Sequence, residues 1–166
     1  MTDPSDKSTS DQIFSPSRAA RRGFLLSGLA VAGLAALTAA QWYNIVADVS
    51  DSDLTAPEAH AAAASGEIFL IDIRRPDEWA RTGVGENALP IDMRSPNFTD
   101  ALLAVTEGRK DLPVALICAR GVRSARLARR LSDAGFSNVL DVPEGMMGSG
   151  AGPGWLKRGL PVGRVE

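Results

Sequence analysis

The most reactive side chain in this sequence is Cys118, the one cysteine among 166 residues. It opens the stretch Cys118-Ala119-Arg120-Gly121-Val122-Arg123-Ser124. The thiolate is the nucleophile of cysteine chemistry, and a helix start or nearby arginines bring a thiol from a pKa of about 8.5 down to ~3.5–7.5. Both features are expected here. Backbone N–H groups from Ala119 to Arg123, with the free N–H groups at a helix start, can converge on one point as an anion cradle. Gly121 permits a turn that a side chain would resist. The helix dipole favours negative charge at that point by ~0.3–1 kcal/mol. Arg120 and Arg123 add positive charge, and Arg120 is the better placed to meet an anionic ligand, since Arg123 belongs to the helix start. A thiolate held this way suits attack on a sulfur atom carried by an anionic donor, which would leave a persulfide on Cys118. A lone cysteine at a strand end is more often a small inert core residue. The glycine, the two arginines and the helix start that follow Cys118 favour the reactive reading.

The elements on either side must position this loop. Residues 113–118, Pro-Val-Ala-Leu-Ile-Cys, read as a buried strand, and residues 124–134 as an amphipathic helix. In that helix Leu127, Ala128, Leu131 and Ala134 share one face, and Gly135 stops it. Ligands in open α/β sheets bind at the carboxyl ends of strands, where Cys118 falls. Upstream, Thr55 caps a helix, with Glu58 as capping-box partner, Pro57 in the first turn and Gly66 at the end. Residues 68–73 are a near-continuous apolar run rich in β-branched side chains, as for a strand buried on both faces. A short helix over 76–80, a loop at Gly83 and Gly85, a strand over 88–93, a helix over 97–106 and a last strand over 137–142 complete the pattern. Alternating strands and helices predict an α/β domain with a mainly parallel sheet. The Gly-rich segment after residue 144 is not a dinucleotide fingerprint, because it does not sit between a strand and a helix.

Composition narrows the classes. The chain is 45% hydrophobic and 23% charged, which is ordinary for a globular domain. Its net charge of -2 argues against a dedicated nucleic-acid binder. One cysteine and one histidine, His60, exclude an intrachain disulfide, a Cys-only zinc site and a His-rich metal site. No cofactor or metal is expected. Residues 1–17 are polar, and Arg18, Arg21 and Arg22 precede an uncharged apolar stretch over 24–40 that ends in Thr38-Ala39-Ala40. Arg21-Arg22-Gly23-Phe24-Leu25 resembles a twin-arginine export signal, with Ala20 where a Ser or Thr usually stands. Cleavage after Ala40 would leave a periplasmic domain. Retained, the same stretch would anchor the chain in the inner membrane, its only expected contact with a bilayer, at the short edge of the ~17–25 residues a spanning helix needs. The division expected is a leader over 1–40, a linker over 41–54 and a domain over 55–166.

Cys-x-x-Gly-x-Arg-Ser between a strand and a helix resembles the active-site loop of the rhodanese family of sulfurtransferases. Three further segments agree. Ile71-Asp72-Ile73-Arg74-Arg75-Pro76-Asp77-Glu78-Trp79 is similar to the family's Asp-Val-Arg-x-Pro-x-Glu-aromatic motif. Leu131 with Gly135-Phe136-Ser137-Asn138-Val139 is similar to its Leu-x-x-x-Gly-Phe-x-Asn-Val segment. Gly145, Trp155 and Gly159-Leu160-Pro161-Val162 are similar to its closing pattern. The resemblance implies a single domain with a central parallel five-stranded sheet flanked by helices. It implies Cys118 as the persulfide-forming nucleophile and the backbone of Ala119, Arg120, Gly121, Val122 and Arg123 as the cradle. It gives Asp72 and Arg74 a mainly structural, supporting role. The implied partners are a small anionic sulfur donor, a thiol or cyanide acceptor, and a redox or sulfur-accepting protein. The alternative is a non-catalytic module that binds anions or proteins. Related phosphatase and arsenate-reductase loops place five residues between Cys and Arg. Four lie between Cys118 and Arg123, a smaller cradle suited to one sulfur atom. The family's Gly-His-Ile-x-Gly-Ala is Gly83-Val84-Gly85-Glu86-Asn87-Ala88 here, without the histidine, and the Gly/Met-rich segment over 145–154 is longer than a compact member needs.

Overall fold

The computed structural model describes residues 53–164. The leader, the membrane-anchor alternative and most of the linker lie outside them. Among the described residues no helix is long and apolar enough to cross a membrane.

The first helix, α1 (Ala56–Ser65), begins as its sequence dictates. Thr55 and Glu58 form the reciprocal capping box, and Gly66 ends the helix in the left-handed region at φ 76°. Strand β1 (Phe69–Asp72) and α2 (Pro76–Thr82) follow. Then come β2 (Val84–Gly85), β3 (Ala88–Pro90) and α3 (Phe98–Val105). Strand β4 (Val114–Ile117) leads into α4 (Val122–Asp133), and β5 (Val139–Asp141) and β6 (Val162–Gly163) complete the order.

Strands β3, β1, β4 and β5 lie in that order in one parallel sheet. The expected fifth strand is absent from it among the described residues. Leu54, just before α1, donates a single backbone bond of 2.9 Å to the Asp141 carbonyl on β5. One bond does not make a ladder, so that edge carries a tether. The segment expected as a loop at Gly83 and Gly85 instead contributes β2, which pairs antiparallel with β6.

Side-chain alternation on the strands builds two cores. On one face Ile71, Val114, Leu116 and Cys118 meet Phe98 and Leu102 of α3 and Leu127 and Leu131 of α4. On the other, Leu70, Ala115 and Ile117 meet Ala56 and Ala59 of α1, with Val142, Met146 and Trp155. The Gly/Met-rich segment is therefore part of the structure. Met146 and Trp155 are fully buried, while Met147 is exposed. Glu144, also buried, accepts from the Ala56 and Gly154 amides at 3.3 and 2.9 Å. It also receives the Arg158 guanidinium at 2.8 and 2.9 Å. Burial pushes the Glu144 carboxyl up, but these donors outweigh it and hold the group below the ordinary glutamate value.

Candidate active site

Cys118 continues the parity of Val114 and Leu116 one residue beyond β4, so its side chain faces α4. It is only 1% exposed. Its carbon packs in the apolar cluster, yet its sulfur meets two polar donors. Sγ accepts from the Gly121 N–H at 3.2 Å and from the Ser124 hydroxyl at 3.4 Å. Among the described residues, these hydrogen bonds bring one backbone amide and one hydroxyl to the sulfur itself. Ser124 was visible in the sequence as the last residue of the motif, but nothing in its type alone pointed it at the sulfur. Helix α4 starts two residues earlier than its apolar spacing suggested, which brings the Ser124 side chain into the first turn.

The loop is held from outside by the segment after β5. The Met146 and Met147 amides donate to the Cys118 and Ala119 carbonyls, each at 2.9 Å. Gly121, the N-cap of α4, sits at φ 84°, and a Cβ there would run into the Pro143 carbonyl. At Gly145 a Cβ would lie 2.7 Å from the Ala119 carbonyl and the Arg120 amide. Two backbones approach too closely at these positions for any residue but glycine.

The charged residues distribute unequally. Arg120 is exposed. Arg123 turns to α2, where its guanidinium meets Glu78 in two bonds of 2.8 and 2.7 Å. Burial raises Glu78, but Arg123 and the Arg75 amide overcome it, and the net shift is downward. Arg123 is shifted upward, first by its bonds to Glu78 and also by the nearby Cys118 sulfur. Glu78 is thus a site neighbour that the sequence showed only as part of a motif. Asp72 and Arg74 form a buried pair, with Arg74 Nη2 to Asp72 Oδ2 at 2.7 Å. Arg74 also reaches the Thr82 hydroxyl and the Gly83 carbonyl at 2.7 Å. These bonds fasten the end of β1 to the end of α2. Val122 is half-buried at the first position of α4. Among the described residues no cluster of three or more metal-ligating side chains occurs.

The model of the rhodanese-like domain matches residues 55–149. The chain belongs to the rhodanese-like domain family. An uncharacterised protein of Rickettsia prowazekii is 27% identical over 103 residues, covering 58% of this chain and 84% of that one. The polysulfide-sulfur transferase homodimer of Wolinella succinogenes is 27% identical with a TM-score of 0.52, over 68% of this chain and 78% of that chain. A thiosulfate sulfurtransferase of Pseudomonas aeruginosa shares the fold, with a TM-score of 0.53 at 22% identity, over 69% of this chain and 20% of that chain. The rhodanese-like domain here is thus an α/β unit with a central parallel sheet, and it has sulfurtransferases among its structural neighbours.

Proposed function

We propose that this rhodanese-like protein is a sulfurtransferase that carries sulfur as a persulfide on Cys118. The Cys118 thiolate attacks the outer sulfur of an anionic donor such as thiosulfate. A new S–S bond forms, the donor's own S–S bond breaks, and sulfite leaves with the electron pair. Cyanide or a thiolate then attacks the terminal sulfur, takes it as thiocyanate or a new persulfide, and returns the Cys118 thiolate. The observation that carries this reading is the pair of donors on Sγ, Gly121 N–H and Ser124 O–H, in an otherwise apolar setting. Donors aimed at a site of negative charge are worth more where water is excluded. Ala119, Arg120, Gly121, Val122 and Arg123 line the path of the donor, and the exposed Arg120 is the side chain we assign to its charge. Asp72 and Arg74 support the site by bracing β1. The Wolinella relative, named for transfer of sulfur from polysulfide, makes polysulfide a second donor to test.

The test is intact-mass measurement after treatment with thiosulfate or polysulfide. A gain of one sulfur atom is expected, lost in Cys118→Ala and reversed by cyanide. A specific observation favours the second reading, a non-catalytic anion- or protein-binding module: Cys118 is only 1% exposed. That reading predicts no sulfur gain and ligand binding that persists in Cys118→Ala. From the leader's residues we also propose export, so the mass of protein recovered from the periplasm should begin at Gln41. A mass that includes residues 24–40 would support the anchor instead.

A further inference from the structure

Asp141 is a buried acid close to the sulfur that the transfer reaction above does not use. It is 4% exposed, and among the described residues neither carboxylate oxygen has a hydrogen-bond partner. A carboxylate in such a place is costly. Burial pushes the Asp141 carboxyl up to about 7. The Ser124 hydroxyl opposes the rise without a fully formed bond, the Asp53 carboxylate adds to it, and the Val142 amide and Arg129 of α4 oppose it.

The sheet register gives the direction of this side chain. Asp141 pairs with Leu116 across the parallel ladder between β5 and β4. Paired residues point to the same side of a sheet, and Leu116 shares its side with Cys118. That side is covered by α4, whose first turn carries Ser124. The Ser124 Oγ stands 3.4 Å from Sγ and 3.0 Å from the Gly121 carbonyl. A hydroxyl has one hydrogen to give, and the sulfur and the Gly121 carbonyl both lie within its reach.

We propose that Asp141 is a positioning residue for the Cys118 sulfur, acting through the hydroxyl of Ser124. The proposal rests on Cys118 being the reacting atom. Protonated Asp141 donates to Ser124 Oγ, which leaves the hydroxyl hydrogen to face Sγ. Ionised Asp141 draws that hydrogen to itself, and Sγ keeps the Gly121 N–H alone. The charges of Arg129 on α4 and of Asp53 before α1 act on the carboxyl, and the charge of Arg123, which is paired with Glu78, acts at the sulfur.

The experiment measures the rate of persulfide formation in the full chain with thiosulfate, across pH values on both sides of about 7. It compares the wild type with Asp141→Asn, Ser124→Ala and the double variant. The Asn amide mimics the protonated acid and cannot ionise. The ratio of Asp141→Asn to wild type is expected near one on the acid side, rising to about tenfold on the alkaline side, the scale of one hydrogen bond to a charged group. Ser124→Ala should lack the inflection near 7, and adding Asp141→Asn to it should change nothing. A ratio that does not vary with pH overturns the proposal. So does a Ser124→Ala profile that keeps the wild-type inflection, and that arm decides alone if Asp141→Asn fails to fold. Absence of loading in the wild type at every pH sinks the sulfur-transfer reading instead. The alkylation rate of Cys118, compared across the same variants and pH values, then decides the relay on the same criteria.

Discussion

At the scale of single residues, two side chains on one sheet face do opposite things with burial. Cys118 is a soft, weakly polar group that tolerates an apolar wall and needs only two donors at its sulfur. Asp141 on the neighbouring strand is a hard charge with no formed bond. Its folded carboxyl titrates at about 7 against an ordinary value of 3.8. The native state therefore holds a proton that the unfolded chain has released between those two values. Its contribution to stability is fully present below the lower one and is lost as pH rises through the upper. Asp141→Asn should raise the urea midpoint by the equivalent of a few kcal/mol on the alkaline side, with little change below the lower value. An equal gain at all pH values would mean that charge is not the cause. Cys118 stood out as the candidate nucleophile from the glycine, arginines and helix start that follow it. The importance of Asp141 was not, because an aspartate after Val-Leu at a strand end looks like any polar strand terminus until the register with Leu116 turns it inward.

At the scale of elements, the Cys118 loop is a strand end and a helix start joined across a bend that only glycine can make. Gly121 at φ 84° and Gly145 at φ 63° are pressed against Pro143 and Ala119 respectively. Gly121→Ala should therefore cost more than the ~1–3 kcal/mol of left-handed strain alone, and should abolish sulfur loading even where circular dichroism shows a folded domain. Retention of full loading would mean that the bend does not set the position of the sulfur. The sequence marked this bend, since a glycine between a strand and a helix reads as a turn. It did not mark β2, because two residues pairing with a distant Val162–Gly163 leave no periodicity to detect. Nor did it reveal that the Gly/Met-rich segment fastens the Cys118 loop through the Met146 and Met147 amides.

At the scale of the whole molecule, Glu144 and Trp155 join α1, the C-terminal segment and the underside of the sheet. Trp155 is fully buried, and its indole N–H donates to the Pro161 carbonyl at 2.9 Å. Trp155→Ala should lower stability by about 3–5 kcal/mol in chemical denaturation, as for other large buried aromatics. A loss below about 1 kcal/mol would show that this core is dispensable. Glu144 is held below its ordinary value of 4.5, so its contribution is present above that value and is lost as pH falls. Together with Asp141, whose penalty grows toward about 7, this predicts maximal stability at mildly acidic pH. Thermal unfolding across pH should show Glu144→Gln flattening the acid limb and Asp141→Asn flattening the alkaline one.

The sequence by itself determined the α/β class, the capped first helix, the strand–loop–helix around Cys118 and the residues of the family motif. Each of these rests on local chemistry: side-chain period, capping groups and the backbone freedom of glycine. Only the tertiary structure decided that the parallel sheet has four strands among the described residues. It also decided that Arg123 is taken up by Glu78, that Ser124 and Gly121 hydrogen-bond the sulfur, and that Asp141 lies on the same side of the sheet as Cys118. Those outcomes depend on register and on contacts between segments far apart in the chain, which no short window of residues encodes.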